Sequence, residues 1–138
     1  MSAALPDSAP NGREAEVQAA AERLVEAFAS NDTARYFACF SDDATFVFHT
    51  QPRPLSLEAY KALWQQWQSE GFAVLGCRSS AAHVSLYGEV AIFIHDVATQ
   101  LYLDGQEQHL QERETIVFRR EDGRWLACHE HLSAPSLS

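Results

Sequence analysis

The chain has 138 residues, of which 46% are hydrophobic and 11% aromatic. This length fits a single domain that buries roughly two thirds of the surface its unfolded form exposes, so a core needs no disulfide or metal. Ten basic residues stand against 19 acidic ones, for a formal charge of -9. That balance argues against nucleic acid and anionic membrane surfaces as partners, because both bind through basic side chains.

Residues 1–12 contain Pro6, Pro10 and small polar residues, without a charged or apolar targeting segment. We therefore predict a disordered lead-in over 1–12 and one domain over 13–135. From residue 13 to 30, apolar side chains recur at helical spacing, which predicts an amphipathic first helix.

The next segments carry capping and breaking signals. Asp32 is typical of the N-cap of a short second helix. Residues 45–49 alternate aromatic and β-branched side chains, which predicts a strand that ends before Pro52. Ser56 is expected to cap a third helix, and Gly71 stands where a helix C-terminus favours positive φ.

After Gly71 the hydrophobic period changes from 3.6 to 2, which predicts β-strands. Turn signals at Tyr87-Gly88-Glu89, Asp104-Gly105 and Asp122-Gly123 separate the strands. Strands this long must coil, with β-bulges as a source of bending. The fold class is therefore α+β, with helices on the concave side of a strongly curved antiparallel sheet. The four predicted strands span residues 72–87, 90–103, 108–119 and 124–133.

The three cysteines, Cys39, Cys77 and Cys128, are an odd number without C-x-x-C spacing. This count favours free thiols in a reducing compartment, so we expect a cytoplasmic protein.

Motifs along the sheet carry a resemblance to a known family. The chain resembles the association domain of calcium/calmodulin-dependent protein kinase II, a member of the nuclear transport factor 2-like, SnoaL-like superfamily. The motifs are His83-Val84-x-x-x-Gly88-Glu89, Tyr102-Leu103-Asp104-Gly105-Gln106, Glu114-Thr115-x-Val117, Arg120-x-Asp122-Gly123-x-Trp125-Leu126 and His129-x-His131-x-Ser133.

The resemblance implies a cone-shaped roll, in which a curved sheet wraps three N-terminal helices. It also implies a pocket at the wide end and dimers formed through the sheet. We expect a stand-alone relative of this domain, without a kinase segment before it. The superfamily includes ketosteroid isomerases, polyketide cyclases, dehydratases and non-catalytic members, so the fold does not choose the chemistry.

The last hairpin divides its side chains between two faces. Residues 120–124 suit a type I turn followed by a glycine bulge, a register that sets Arg113 opposite His131, Thr115 opposite His129 and Val117 opposite Ala127. We predict that the first face forms a homodimer and that the second faces the interior. The first face carries Arg113, Thr115, Val117, Trp125, Ala127, His129 and His131. The second carries Glu114, Ile116, Phe118, Leu126, Cys128, Glu130 and Leu132.

The resemblance also places the pocket. Pocket arginines of the kinase domain match Ala98, Ile116 and Leu132, which gives a predicted wall of Asp96, Ala98, Gln100, Glu114, Ile116 and Glu130. The three guanidiniums are absent here and up to three carboxylates are present. A pocket of this kind favours a neutral or cationic, mostly apolar ligand.

The same pocket residues include candidate catalytic groups. Asp96, Glu114 and Glu130 suit a pair in which one acid has a raised pKa beside an ionised partner. By resemblance to ketosteroid isomerases, the catalytic aspartate position falls on Phe48, which cannot abstract a proton. His49 near the pocket mouth is the substitute acid or base.

Two further interpretations concern aromatic and imidazole side chains. Trp64 is expected to contact a ligand across the cone mouth, with Phe48 in the same wall. His129, His131 and His95 suggest a metal site as an alternative. Arg113 beside His131 would repel a metal ion, so we predict no metal and no cofactor.

The leading hypothesis is a homodimer that binds an unidentified small molecule, with neither nucleic acid nor membrane as a partner. The first alternative is an isomerase, dehydratase or cyclase that uses the pocket carboxylates or His49. The second is an oligomerisation module without a ligand. No residue is assigned as catalytic, and whether the protein is an enzyme stays open at this stage.

Overall fold

The computed structural model describes residues 8–134. Helix α1 spans Ser8–Ala29, α2 spans Thr33–Phe37 and α3 spans Leu57–Ser69. The strands are β1 (Phe40–Phe48), β2 (Leu55–Ser56), β3 (Ala73–Tyr87), β4 (Val90–Leu103), β5 (Gln106–Glu121) and β6 (Arg124–Ser133). The predicted α+β class is confirmed.

Helix ends follow the capping signals. The Asp32 carboxylate accepts a hydrogen bond from the Arg35 backbone N–H, and Ser56 Oγ accepts one from Ala59. Gly71 has a φ of +94°, as the end of α3 requires. Helix α1 begins at Ser8, five residues before the predicted start at residue 13, so residues 8–12 are helical. The rest of the predicted lead-in lies outside the described residues.

Six strands form one sheet in the order β2-β1-β6-β5-β4-β3. The predicted antiparallel meander is confirmed for β3 to β6, whereas β1 pairs with β6 in parallel. Strand β1 starts at residue 40, five residues before its predicted start, and β2 was not predicted. Register shifts within β3, between β5 and β6, and between β1 and β6 bend the sheet around the helices.

The turn of the last hairpin differs from the prediction. Glu121 pairs with Arg124, so Asp122 and Gly123 form a two-residue loop in which φ is positive at both residues, typical of a type I′ turn. An extra residue, Cys128, then shifts the register between Val117 and Phe118. Thr115 consequently lies opposite His131 rather than His129.

The core fills the concave side of the sheet. Phe46, Phe93, Ile116 and Phe118 of the strands are buried there with Trp64 of α3. None of the helices within residues 8–134 is both long and apolar enough to cross a membrane.

Candidate functional site

A cavity of about 360 Å³ lies between the helices and the concave face of the sheet. Exposed Thr50 and half-buried Gln51 and Gln108 are part of its wall, so the cavity opens beside them. Most of the wall is apolar: Leu24, Val25, Phe28, Phe48, Trp64, Trp67, Phe72, Val97, Leu101, Leu103, Leu110 and Leu132. A wall of this composition suits an apolar molecule with a few polar groups.

Aromatic side chains hold one side of the cavity in place. Trp64 Nε1 donates a hydrogen bond to Thr33 Oγ1 over 3.2 Å, which joins α3 to α2. The hydroxyls of Tyr36 and Tyr60 share a hydrogen bond of 2.9 Å, and both rings line the cavity. Burial is the main cause that raises the pKa of both phenols, so each keeps its proton.

A chain of hydrogen bonds reaches the cavity from the edge strand β3. His95 Nε2 lies 2.7 Å from Glu114 Oε1, and His95 Nδ1 lies 2.6 Å from Ser79 Oγ. The His95 side chain is completely buried, and the Glu114 side chain is 12% exposed and lines the cavity. The imidazole therefore orients this carboxylate at the cavity wall.

Glu130 lies beside this chain on β6 and also lines the cavity. Burial raises the pKa of Glu130 well above its ordinary value of 4.5, and the charge of Glu114 raises it further. Its Oε2 atom has no hydrogen-bond partner among the described residues. Glu130 therefore holds its proton more tightly than an exposed carboxyl group does, next to the histidine-bound Glu114.

A second histidine–glutamate pair lies nearer the opening. His49 Nε2 is 2.6 Å from Glu112 Oε2, and Glu112 lines the cavity two residues before Glu114 on β5. His49 is 35% exposed at its side chain, so water reaches this imidazole. His49 itself is not part of the wall and acts on the cavity only through Glu112.

These groups allow acid–base chemistry and disfavour nucleophilic catalysis by the wall thiol. Glu114 is an oriented carboxyl group and Glu130 a buried one whose raised pKa favours its protonated form, a combination that suits proton transfer. Cys77 also lines the cavity, but burial raises the pKa of its thiol to about 11. Since the thiolate is the reactive form, this thiol is inert at neutral pH.

The structure brings together only part of the predicted pocket. Phe48, Trp64, Glu114 and Glu130 line the cavity. Ile116 faces inward but is completely buried in the core, away from the wall. On β4 the predicted parity is wrong, because Val97, Thr99 and Leu101 face the cavity. The predicted wall residues Asp96, Ala98 and Gln100 therefore lie on the outer face.

Strand pairing explains the parity of β4. Ile116 pairs with Phe93, so its inward position requires the odd-numbered residues of β4 to face inward. The sequence signal for this parity is the two-residue turn at Asp104-Gly105. This turn sets Leu103 opposite Gln106 and so fixes the register between β4 and β5. Glu112 was also missed, although it has the same parity as Glu114. Tyr36 and His95 had no local signal that linked them to the site.

The predicted dimer face is divided by the β6 bulge. Arg113, His129 and His131 lie on the outer face with half-buried Thr115. Trp125 does not: it is 6% exposed and its indole N–H donates to Glu16 of α1 over 2.9 Å. The extra residue at Cys128 reverses the parity between Trp125 and the histidines, so Trp125 belongs to the inner face.

The alternative of a three-histidine metal site does not fit the coordinates. His129 and His131 lie on the outer face, whereas His95 is buried on the inner face. Among the described residues, no group of three metal-ligating side chains has the geometry to hold an ion.

Comparison with models of known protein families identifies the family of this chain. A family model described as a SnoaL-like domain matches residues 17–136, which is most of the chain. The chain belongs to the SnoaL-like family. The resemblance found in the sheet motifs is thereby confirmed at the level of the superfamily.

Solved structures share the fold of this SnoaL-like protein. A nuclear transport factor 2-like superfamily protein from Salmonella enterica serovar Typhimurium LT2 superposes with a TM-score of 0.80 at 18% identity, covering 94% of this chain and 96% of that one. A protein of unknown function from Pseudomonas putida KT2440 gives 0.72 at 24% identity, with coverages of 91% and 88%.

A third structure, from Exiguobacterium sibiricum 255-15, is named as a candidate calcium/calmodulin-dependent kinase II association domain. It gives a TM-score of 0.77 at 12% identity and covers 98% of this chain and 100% of that one. At such identities the likeness shows the cone fold alone. The chemistry of the SnoaL-like cavity has to be argued from its own residues.

Proposed function

We propose that this SnoaL-like protein binds a small, neutral or cationic, mostly apolar molecule in the 360 Å³ cavity. The main support for this proposal is the composition of the cavity wall, in which aliphatic and aromatic side chains surround Glu112, Glu114 and Glu130. An anion would lose its hydration shell beside carboxylates, whereas a neutral molecule buries its surface without that cost.

Two dyes of matched shape test this proposal. N-Phenylnaphthylamine is neutral, and its sulfonated analogue anilinonaphthalene sulfonate is an anion. We expect the neutral dye to bind with increased fluorescence and the anion to bind at least about tenfold more weakly. Native mass spectrometry of the protein as purified, searched for a retained molecule, gives independent evidence.

A cavity-filling variant locates the bound dye. Leu101→Trp places an indole in the cavity and should abolish binding of the neutral dye. The matched control is Leu75→Trp, since Leu75 is 50% exposed and lies away from the cavity wall. Equal binding by both variants, or tighter binding of the anion, would contradict the proposal.

A second candidate function is acid–base catalysis of the isomerase, dehydratase or cyclase kind. It is favoured by Glu130, a buried acid with a raised pKa, beside the histidine-bound Glu114 in one apolar cavity. Glu114 would accept a proton from a carbon next to a carbonyl group, and Glu130 would donate one to the oxygen. His49 would act only through Glu112.

Exchange of carbon-bound protons in heavy water tests this second function without a known substrate. β-Tetralone, a neutral bicyclic ketone, serves as the probe, and NMR follows its deuteration. We expect Glu114→Gln to lose at least about a hundredfold of the catalysed rate. Glu22→Gln makes the same change on the exposed side of α1 and should keep it. A rate equal to that of buffer would remove this candidate.

We also propose that the protein self-associates through the outer face of the sheet. Ile94 of β4 is 37% exposed there and pairs with Thr115, which in turn pairs with His131 of the predicted dimer face. Sedimentation velocity should show a dimer that Ile94→Arg converts to a monomer. A wild-type monomer at micromolar concentration would contradict this proposal.

A further inference from the structure

The hydrogen-bond chain through His95 connects solvent to the cavity wall. At one end Ser79 is exposed on the edge strand β3, and its hydroxyl lies 2.6 Å from His95 Nδ1. At the other end His95 Nε2 lies 2.7 Å from Glu114 Oε1, at the cavity wall. The imidazole between them is completely buried and packs edge-on against Phe93.

This chain has one direction when Glu114 is ionised and His95 is neutral. An ionised carboxylate only accepts hydrogen bonds, so His95 Nε2 carries the proton that binds Glu114. The neutral imidazole then has a bare Nδ1, which accepts the hydroxyl proton of Ser79. Each link is thus a donor facing an acceptor, the arrangement through which a proton passes without movement of heavy atoms.

We propose that Ser79 and His95 form a proton relay that exchanges protons between water and Glu114. In the inward direction, water gives a proton to the Ser79 oxygen and is left as hydroxide in the solvent, while the hydroxyl proton passes to His95 Nδ1. His95 then releases its Nε2 proton to Glu114. The products are a protonated Glu114 and a neutral His95 of the other tautomer, and the reverse steps return the proton to water.

The location of this hydrogen-bond chain explains why Glu114 would exchange protons through it. Glu114 lines the cavity wall, so a molecule that fills the cavity would cover this carboxylate, which would then need another route to water. The other pair, His49 and Glu112, lies nearer the cavity opening, and within residues 8–134 no side-chain hydrogen bond continues it through the sheet. If residue 95 served only to fill the core, an apolar side chain would be enough, because its inward neighbours on β4 are Phe93 and Val97.

This inference rests on the second proposed function, in which Glu114 exchanges protons with a bound molecule. Ser79 and His95 are positioning residues, since neither lines the cavity. The relay itself is measurable in the ligand-free protein. Its failure is therefore separable from failure of the proposed catalysis.

The test compares two variants that differ by one hydroxyl group. Ser79→Thr keeps the donor, whereas Ser79→Val fills the same volume without it and excludes water from His95 Nδ1. Proton NMR measures how fast the buried His95 Nε2–H exchanges with water. We expect the valine variant to slow this exchange at least about tenfold and the threonine variant to stay within about twofold of wild type.

Two controls make the outcome decisive. Ser80→Val carries the same change on the opposite face of β3 and should leave the exchange rate unaltered. Similar melting temperatures would show that all three variants fold. An exchange rate in Ser79→Val equal to that of wild type would overturn the relay, because the proton would then leave through the cavity. Slowed exchange without ketone deuteration would keep the relay and remove the catalytic proposal.

Discussion

Two consecutive cross-strand pairs of β4 and β5 lie on opposite faces of the same sheet. His95 pairs with Glu114 on the inner face, and Asp96 pairs with Arg113 on the outer face. Their hydrogen bonds are similar, 2.7 Å and 3.0 Å. Their surroundings differ, because the inner side chains are 0% and 12% exposed and the outer ones 45% and 65%.

The comparison shows that the role of such a pair depends on the face of the sheet on which it lies, rather than on residue type or hydrogen-bond distance. On the outer face water and salt screen the charges of Asp96 and Arg113, and the pair is a solvated surface contact. On the inner face the same kind of contact orients a carboxylate toward an apolar cavity. Burial, followed by the charge of that carboxylate, raises the pKa of Glu130 beside it. The candidate chemistry therefore belongs to the inner face alone.

The largest effect is expected from breaking the inner pair. His95→Ala leaves the buried Glu114 without its imidazole, and we expect a loss of about 3–5 kcal/mol in the free energy of unfolding. Urea denaturation measures it, with Arg113→Ala as the outer-face control. Equal losses for the two variants would mean that burial does not separate the pairs.

The next effect concerns pH. The folded protein holds the Glu130 proton more tightly than the unfolded chain does, so this group adds its full stability below pH 4.5 and loses it as pH rises toward the raised pKa. We expect a slope of up to about 1.4 kcal/mol per pH unit. Glu130→Gln should remove the slope in urea denaturation, and Glu22→Gln should not. A slope that survives Glu130→Gln would place the titrating group elsewhere.

A smaller effect tests whether Trp125 belongs to the inner face. Trp125→Phe removes the hydrogen bond to Glu16, and we expect a loss of about 1 kcal/mol. A double-mutant cycle with Glu16→Ala isolates this contact by urea denaturation. The sedimentation coefficient should not change. A variant that instead shifts the oligomeric state would return Trp125 to the outer face.

The smallest effect is expected from the outer pair. A double-mutant cycle of Asp96→Ala with Arg113→Ala should give a coupling energy between about 0 and 1 kcal/mol. In about 1 M sodium chloride the coupling should vanish, because the Debye length falls to about 3 Å. A coupling above that range at high salt would show that this pair is not solvated.

The comparison of the two faces also shows where sequence reasoning stopped. Glu114, Glu130, Phe48 and Trp64 were predicted in the pocket and line the cavity. Asp96, Ala98 and Gln100 lie on the outer face, not on the predicted inner face. The hydrophobic pattern of β4 does not distinguish its two faces, because apolar residues lie on both, and the family resemblance does not include the register set by the turn. One inserted residue, Cys128, also moved Trp125 to the inner face.

Local patterns in the sequence determined the α+β class, the helix caps, the four long strands and the superfamily, because capping, turn chemistry and hydrophobic period act within a few residues. Only the tertiary structure decided which face each side chain occupies, since bulges and strand register are set by contacts between distant segments. For the same reason it alone joined Ser79 to His95 and His95 to Glu114, across three strands.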